Sequence, residues 1–216
     1  MAGDLSGPRI FRPEELKRGE LYQLLNRSIA PRPIAFVSSL DSAGVANLAP
    51  FSYFTAGGVN PPSLVFSVLY DRNAQPKDTL RNIRATREYT VNVVNREMAE
   101  RMNLTSGDWP PEVDEFVQAG FTKEPSLLVT PSRVAESPVA LECRLHLIVP
   151  HGDGPMSAHY VIGEVVAARV HGSCLDPDGL PDPERIDPIG RMGKDSYVHA
   201  TGAALFEMRR PDVRSS

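Results

Sequence analysis

Four polar side chains, Ser38, Ser39, Asn47 and Ser52, lie in or beside two apolar runs, residues 34–40 and 45–53, whose composition calls for burial. A buried hydroxyl or amide left without a partner costs about 1 to 3 kcal/mol, so the backbone or a polar ligand must satisfy these groups. Asn47 is the most informative, because asparagine is disfavoured in strands and this one sits between apolar neighbours. Ser38 and Ser39 are consecutive, so on a strand their side chains face opposite ways. Further along, Lys77, Asp78 and Thr79 stand where a helical pattern begins. There they offer a cation, free N–H groups and a hydroxyl at the positive end of the helix dipole, a favourable place for an anion. Plain capping by Asp78 uses the same residues. Arg32, between Pro31 and Pro33, is held in an extended segment, which suits either an aimed guanidinium or a surface salt bridge. The five histidines show no metal-ligand spacing such as HxxxH, and no metal site is expected, since three or four convergent ligands are required.

The elements that must position these groups are mostly strands. Residues 34–40 and 45–53 flank the turn Asp41-Ser42-Ala43-Gly44 and read as a buried hairpin. Pro50 interrupts its second strand and can sit there only at an edge or a bulge. A loop over residues 56–62 precedes an apolar strand, residues 64–69, so that three strands form a first sheet unit. Residues 13–26 predict a short, partly broken helix carrying Leu16, Leu21, Leu24 and Leu25, with Gly19 weakening its middle. Asp78 opens a second helix whose inward face is Leu80 and Ile83, and residues 88–95 alternate as a central strand. Short helices are expected over residues 97–104 and 114–119. The clearest β signal is residues 139–149, with Val139, Leu141, Cys143, Leu145, Leu147 and Val149 on one face and Glu142, Arg144 and His146 on the other. Residues 158–170 return as its hairpin partner, which brings His146 and His159 opposite each other. Residues 172–188 are a Pro- and Asp-rich loop, and a last strand is expected around residues 203–208.

Composition removes several function classes. At 216 residues with 20 prolines, the chain fits one domain, an antiparallel barrel with short helical insertions. A net charge of −4 gives no basic face for nucleic acid or an acidic membrane. No run approaches the roughly 20 apolar residues of a membrane span, and residues 1–16 lack the apolar core of a signal peptide. Two cysteines, Cys143 and Cys174, are too few for a disulfide framework, which fits a reducing cytoplasm. Neither GxGxxG nor GxxxxGK[ST] follows a strand, so a Rossmann or P-loop phosphate site is excluded.

Nine strings, in order, resemble the flavin reductase-like family: PRPIAFVSS at 31–39, NLAPFSYF at 47–54, NPPSLVFS at 60–67, KDTLRNI at 77–83, VNVVN at 91–95, DEF at 114–116, SPVALEC at 137–143, GEVVAARVH at 163–171 and RMGKDSY at 191–197. The likeness covers residues 20 to 210. It implies a mainly β fold, the FMN-binding split β-barrel of Greek-key type, forming a homodimer with flavin near the subunit interface. It further implies that Ser38 and Ser39 lie beside the isoalloxazine or ribityl chain and that Asn47, Leu48, Ala49 and Pro50 offer main-chain contacts to the ring. Ser52 would follow on the phosphate side, Lys77, Asp78 and Thr79 would take the phosphate end, Arg191 and Tyr197 would close the site, and Arg32 is counted among the cofactor-binding residues. The activity implied is that of an NADH- or NADPH-dependent oxidoreductase using FMN, with FAD an alternative. Its partner would be a monooxygenase or another electron-acceptor protein. An FMN-binding electron carrier reduced by a protein partner is the competing reading. No catalytic side chain is implied, because the cofactor carries the reactivity and the protein sets stacking and electrostatics.

Overall fold

The computed structural model describes residues 7–211. Seven antiparallel strands make one sheet in the order β2-β1-β5-β8-β9-β4-β3. These are β1 (Ala35–Leu40), β2 (Ala46–Phe51), β3 (Phe54–Val59), β4 (Pro62–Leu69), β5 (Glu88–Val93), β8 (Val139–His151) and β9 (Ala158–Val170). Two short ribbons, β6 (Lys123–Glu124) with β7 (Arg133–Val134) and β10 (Ile189–Gly193) with β11 (Ser196–His199), lie outside it. The helices are α1 (Arg18–Ser28), α2 (Asp78–Thr86), α3 (Ala99–Leu104), α4 (Glu115–Gln118) and α5 (Pro183–Ile186).

The sheet curls until its two end strands, β2 and β3, meet. They are consecutive in the chain, the Phe51 and Phe66 rings come within 5.4 Å, and the Ser67 N–H donates to the Tyr53 carbonyl at 2.8 Å. No ladder joins β2 to β3, so the barrel is split along that line. The interior is filled by Val37, Leu64, Phe66, Val68, Tyr89, Val91, Cys143 and Val161, and α2 seals it with Leu80 and Ile83, both fully buried. Each such side chain contributes about 1.5 to 3 kcal/mol through its removal from water. On the opposite face of β1 and β2, Phe36 and Leu48 pack against Met98, Met102 and Phe116, which fixes α3 and α4 there.

The β1–β2 hairpin is as expected: Asp41 Oδ1 accepts from the Ala43 and Val45 N–H groups at 2.8 Å, and Gly44 supplies the positive φ of 85°. Pro50 lies on the outermost strand of the sheet, the position its missing N–H allows. The first helix is broken, but at residues 16–17, between a 3-10 turn at Pro13–Glu15 and α1.

Several expectations are corrected. The stretch expected as a loop over 56–62 is largely β3. It is legible only with the bulge at Ala56/Gly58, where a Cβ on Gly57 would meet Ser63 Oγ at 2.7 Å. β4 does not join the first hairpin, because β5, β8 and β9 stand between them. Leu147 and Val149 face outward, 48% and 39% exposed, and Ile148 packs on the core instead. The bulge of β8 at Leu145/Leu147 inserts His146 and shifts the alternation, and a one-residue shift exchanges the faces of a strand. For the same reason His159 pairs with Pro150, and His146 falls in the bulge, exposed and away from it. Asp78 does not cap α2: Lys77 is the N-cap residue, no side chain caps it, and Asp78 pairs with Arg81 one turn on. Residues 203–208 form no strand; after a 3-10 turn at Gly202–Ala204 the chain pairs with no sheet edge among the described residues, and Phe206 is 81% and Met208 83% exposed.

Candidate functional site

The expected site residues fall into two neighbourhoods joined by β2. In the first, Asn47 Nδ2 donates to Thr79 Oγ1 at 2.8 Å, and Asn82 Nδ2 donates to Ser39 Oγ at 3.2 Å. All four side chains are buried, so α2 is registered on the hairpin by polar contacts as well as by Leu80 and Ile83. Lys77 is exposed at the start of the same helix, and among the described residues it makes no ion pair. A nine-residue helix whose first N–H groups have no capping side chain, flanked by an ammonium and the Thr79 hydroxyl, has the donor set of a phosphate site.

In the second neighbourhood, Arg32 is 5% exposed, and its guanidinium is committed to the backbone. It donates to the carbonyls of Asn26 and Ile29 at the C-terminal end of α1, and its Nε approaches Ser52 Oγ at 3.4 Å. Cations are favourable at that end of a helix. The Arg32 and Arg191 backbones exchange N–H···O bonds of 2.9 and 2.8 Å, which docks the β10–β11 ribbon beside Ser52. The Arg191 guanidinium bonds the Tyr197 hydroxyl and lies over its ring at 4.5 Å, while that hydroxyl donates to Asn103 Oδ1 at 3.3 Å. Tyr197 lines a cleft of about 430 Å³ between α3 and the ribbon, with Arg191 held over its ring.

Between the two neighbourhoods runs the free edge of β2. The Leu48 N–H points off the sheet, where Glu115 Oε2 accepts it at 2.9 Å. By the alternation of an antiparallel ladder, the main-chain groups of Leu48 and Pro50 therefore look outward, and Pro50 contributes a carbonyl without an N–H. Ala49 and Pro50 are partly open. Ser38 and Ser39 face opposite ways as expected. Ser38 Oγ is completely buried beside Leu48 and has no hydrogen-bond partner among the described residues, so its side chain does not line the edge.

A second, apolar cavity of about 620 Å³ lies where α1 covers the outer faces of β4 and β9. Its wall includes Tyr22, Tyr53, Val65, Ser67 and Tyr160, and burial together with the neighbouring Tyr22 pushes the Tyr53 hydroxyl pKa up. Sequence reasoning missed this cavity, and it also missed Glu115. The only signal for Glu115 was an acidic residue next to Phe116 in the DEF string.

With this geometry in place, the sequence signature of the flavin reductase like domain matches residues 27–181. The chain belongs to that family. An uncharacterized protein of Aquifex aeolicus is 38% identical to this flavin reductase-like chain over 198 residues, 92% of this chain and 99% of its own. Among solved structures, nitrilotriacetate monooxygenase component B from Bacillus cereus superposes with a TM-score of 0.87 at 31% identity, covering 94% of this chain and 99% of that one. The 2-nitrobenzoate 2-nitroreductase of Pseudomonas fluorescens gives 0.80 at 32% identity, covering 95% and 100%. Membership of this family supports a flavin as the cofactor. No helix among the described residues is long and apolar enough to cross a membrane.

Proposed function

We propose that the chain is an oxidoreductase that binds FMN along the free edge of β2, with the phosphate at the start of α2, and is reduced by NADH or NADPH. The observation that carries this is the convergence of Asn47 and Thr79 at 2.8 Å beside an uncapped helix terminus and Lys77, in a chain of the flavin reductase-like family. The chemistry that bound FMN would supply is acceptance of a hydride at N5 from nicotinamide C4.

The chain's own residues bind and orient. Lys77, Thr79 and the first N–H groups of α2 hold the phosphate, and because that charge is fixed at one end, the ring end is set by reach. The Pro50 carbonyl, on the partly open stretch of β2, accepts from the ring's N–H, and the absent N–H at Pro50 leaves that stretch without a competing donor. Asn47, pinned by Thr79, keeps β2 and α2 in register, so both ends of the ligand are positioned by one rigid unit. Arg32 acts indirectly: by tying α1 to Ser52 and to the ribbon, it fixes the turn at which β2 leaves the sheet. FAD fits the same phosphate donors if an adenylate extends past Lys77 into solvent.

A second copy of the chain is the partner we propose for the apolar cavity. Ile29, Leu25 and Tyr160 at its mouth are 61%, 45% and 40% exposed, an apolar rim that a homodimer would cover. The free, buried Cys143 and Cys174 fit a cytoplasmic protein. A monooxygenase or other acceptor protein would take the electrons onward. This is the role suggested by the likeness to a monooxygenase component B.

The test is an anaerobic titration of the FMN-loaded protein with NADH and then NADPH, following the oxidised-flavin absorbance. Bleaching well above the rate of free FMN is expected. Tight FMN binding with no bleaching by either nucleotide would replace the reductase with a carrier served by a protein partner, and failure to bind FMN would remove the site assignment.

A further inference from the structure

Glu115 is a buried carboxylate that the reading above does not use. Only 7% exposed, it projects from α4 onto the middle of the β2 edge and accepts the Leu48 N–H at 2.9 Å. Among the described residues no cation pairs with it; Lys123 is taken by the neighbouring Asp114 and lies over the Phe116 ring. Burial pushes its pKa up, the direction expected for a carboxylate removed from water without a counter-charge.

Holding Leu48 does not require a charge. A glutamine carbonyl would accept the same N–H and avoid the cost of burying an unpaired anion. The charge is therefore unexplained by packing, and it stands on the strip assigned to the flavin ring. A fixed negative charge there acts against any ligand state that gains negative charge. Hydride transfer adds two electrons and one proton to FMN, leaves oxidised nicotinamide, and gives a reduced flavin one unit more negative than before.

We propose that Glu115 is a positioning residue that also lowers the electron affinity of flavin held on β2, making the bound reduced flavin a stronger donor to its acceptor. The inference rests on the flavin reading of the site. Its effect is on the ratio of affinities for oxidised and reduced FMN, which thermodynamic linkage makes equivalent to the reduction potential.

The experiment measures dissociation constants of the full chain for oxidised FMN and for anaerobically reduced FMN, with melting temperature, for wild type, Glu115→Gln and Glu115→Asp. Wild type is expected to bind oxidised FMN; if it does not, the flavin reading itself falls and takes this inference with it. Given that binding, Glu115→Gln is expected to hold oxidised FMN within about twofold of wild type while binding reduced FMN more than about tenfold more tightly, the effect of one charge removed from within about 10 Å at effective interior screening. Glu115→Asp, which draws the charge back by one methylene, is expected to move the ratio the same way by a smaller factor. A ratio equal to wild type in whichever of the two variants folds, or a loss shared equally by both flavin states, would show that Glu115 only holds the strand.

Discussion

Thr79→Val is the substitution that most directly separates a structural polar contact from a ligand site. The exchange keeps the shape of the side chain and removes one oxygen. Thr79 is 1% and Asn47 8% exposed, and their 2.8 Å hydrogen bond is the sole side-chain bond of the Asn47 amide among the described residues. Losing Oγ1 leaves Nδ2 buried without an acceptor, which costs about 1 to 3 kcal/mol. Asn47→Leu leaves the less exacting hydroxyl unpaired, and the double variant removes both polar groups together. Urea unfolding followed by circular dichroism should place Thr79→Val about 1.5 kcal/mol below wild type, with the double variant less destabilised than the sum of the singles by about 1 kcal/mol. FMN affinity, read from quenching of flavin fluorescence, should fall by about tenfold in Thr79→Val and should not recover in the double variant, since the phosphate still lacks its hydroxyl. Additive stability changes would refute the coupling. Unchanged FMN affinity in a variant that shows the stability loss would refute the placement of the phosphate at α2.

Further outcomes follow from the same structure. Lys77→Ala should weaken FMN about tenfold at low salt, less at 1 M salt, and leave riboflavin, which has no phosphate, unaffected when both are titrated by fluorescence. A Cβ on Gly163 would stand 1.9 Å from the Tyr89 hydroxyl and 2.8 Å from its Cζ, so Gly163→Ala should cost about 3 kcal/mol in urea unfolding, and adding Tyr89→Phe should return only part of it. Burial, aided by the nearby Arg84, holds the His159 imidazole below its ordinary pKa. The folded state therefore binds fewer protons there than the unfolded chain, and stability should decline as pH falls below about 6.5, a slope that His159→Phe should flatten in pH-dependent melting. Sedimentation velocity should show a dimer that Ile29→Arg, placed on the exposed rim of the cavity, converts to monomer.

Much of the barrel can be read from local chemistry. The Asp41–Gly44 turn, the edge position of Pro50, the inward face of α2 and the long β8–β9 hairpin each follow from one rule acting over a few residues. What stayed hidden depends on events between strands. The bulge that turns Leu147 and Val149 outward inserts a single residue, His146, whose sequence signature is nil, and β3 contains Gly57 where Ser63 crowds it from the neighbouring strand. At the site, Asn47 and Thr79 were each visible by type, but their pairing joins residues 32 positions apart. Arg32 reads equally well as a ligand-facing cation or as a surface salt bridge, and only the carbonyls of Asn26 and Ile29 decide where its donors go. Glu115 could not be found by pattern, because the strand edge it serves belongs to another element 67 residues away.

The edge of β2 also bears on how the chain behaves before anything is bound to it. A bare outer strand is normally a template on which a stray strand from another molecule can grow, and cells contain many such strands while proteins are being made. Here an incoming strand would meet a Leu48 N–H already taken by Glu115 and, two residues on, a proline with no N–H to give. Two successive donors are missing from the register it would need. The barrel can therefore keep an unpaired outer strand while refusing the aggregation that such a strand invites.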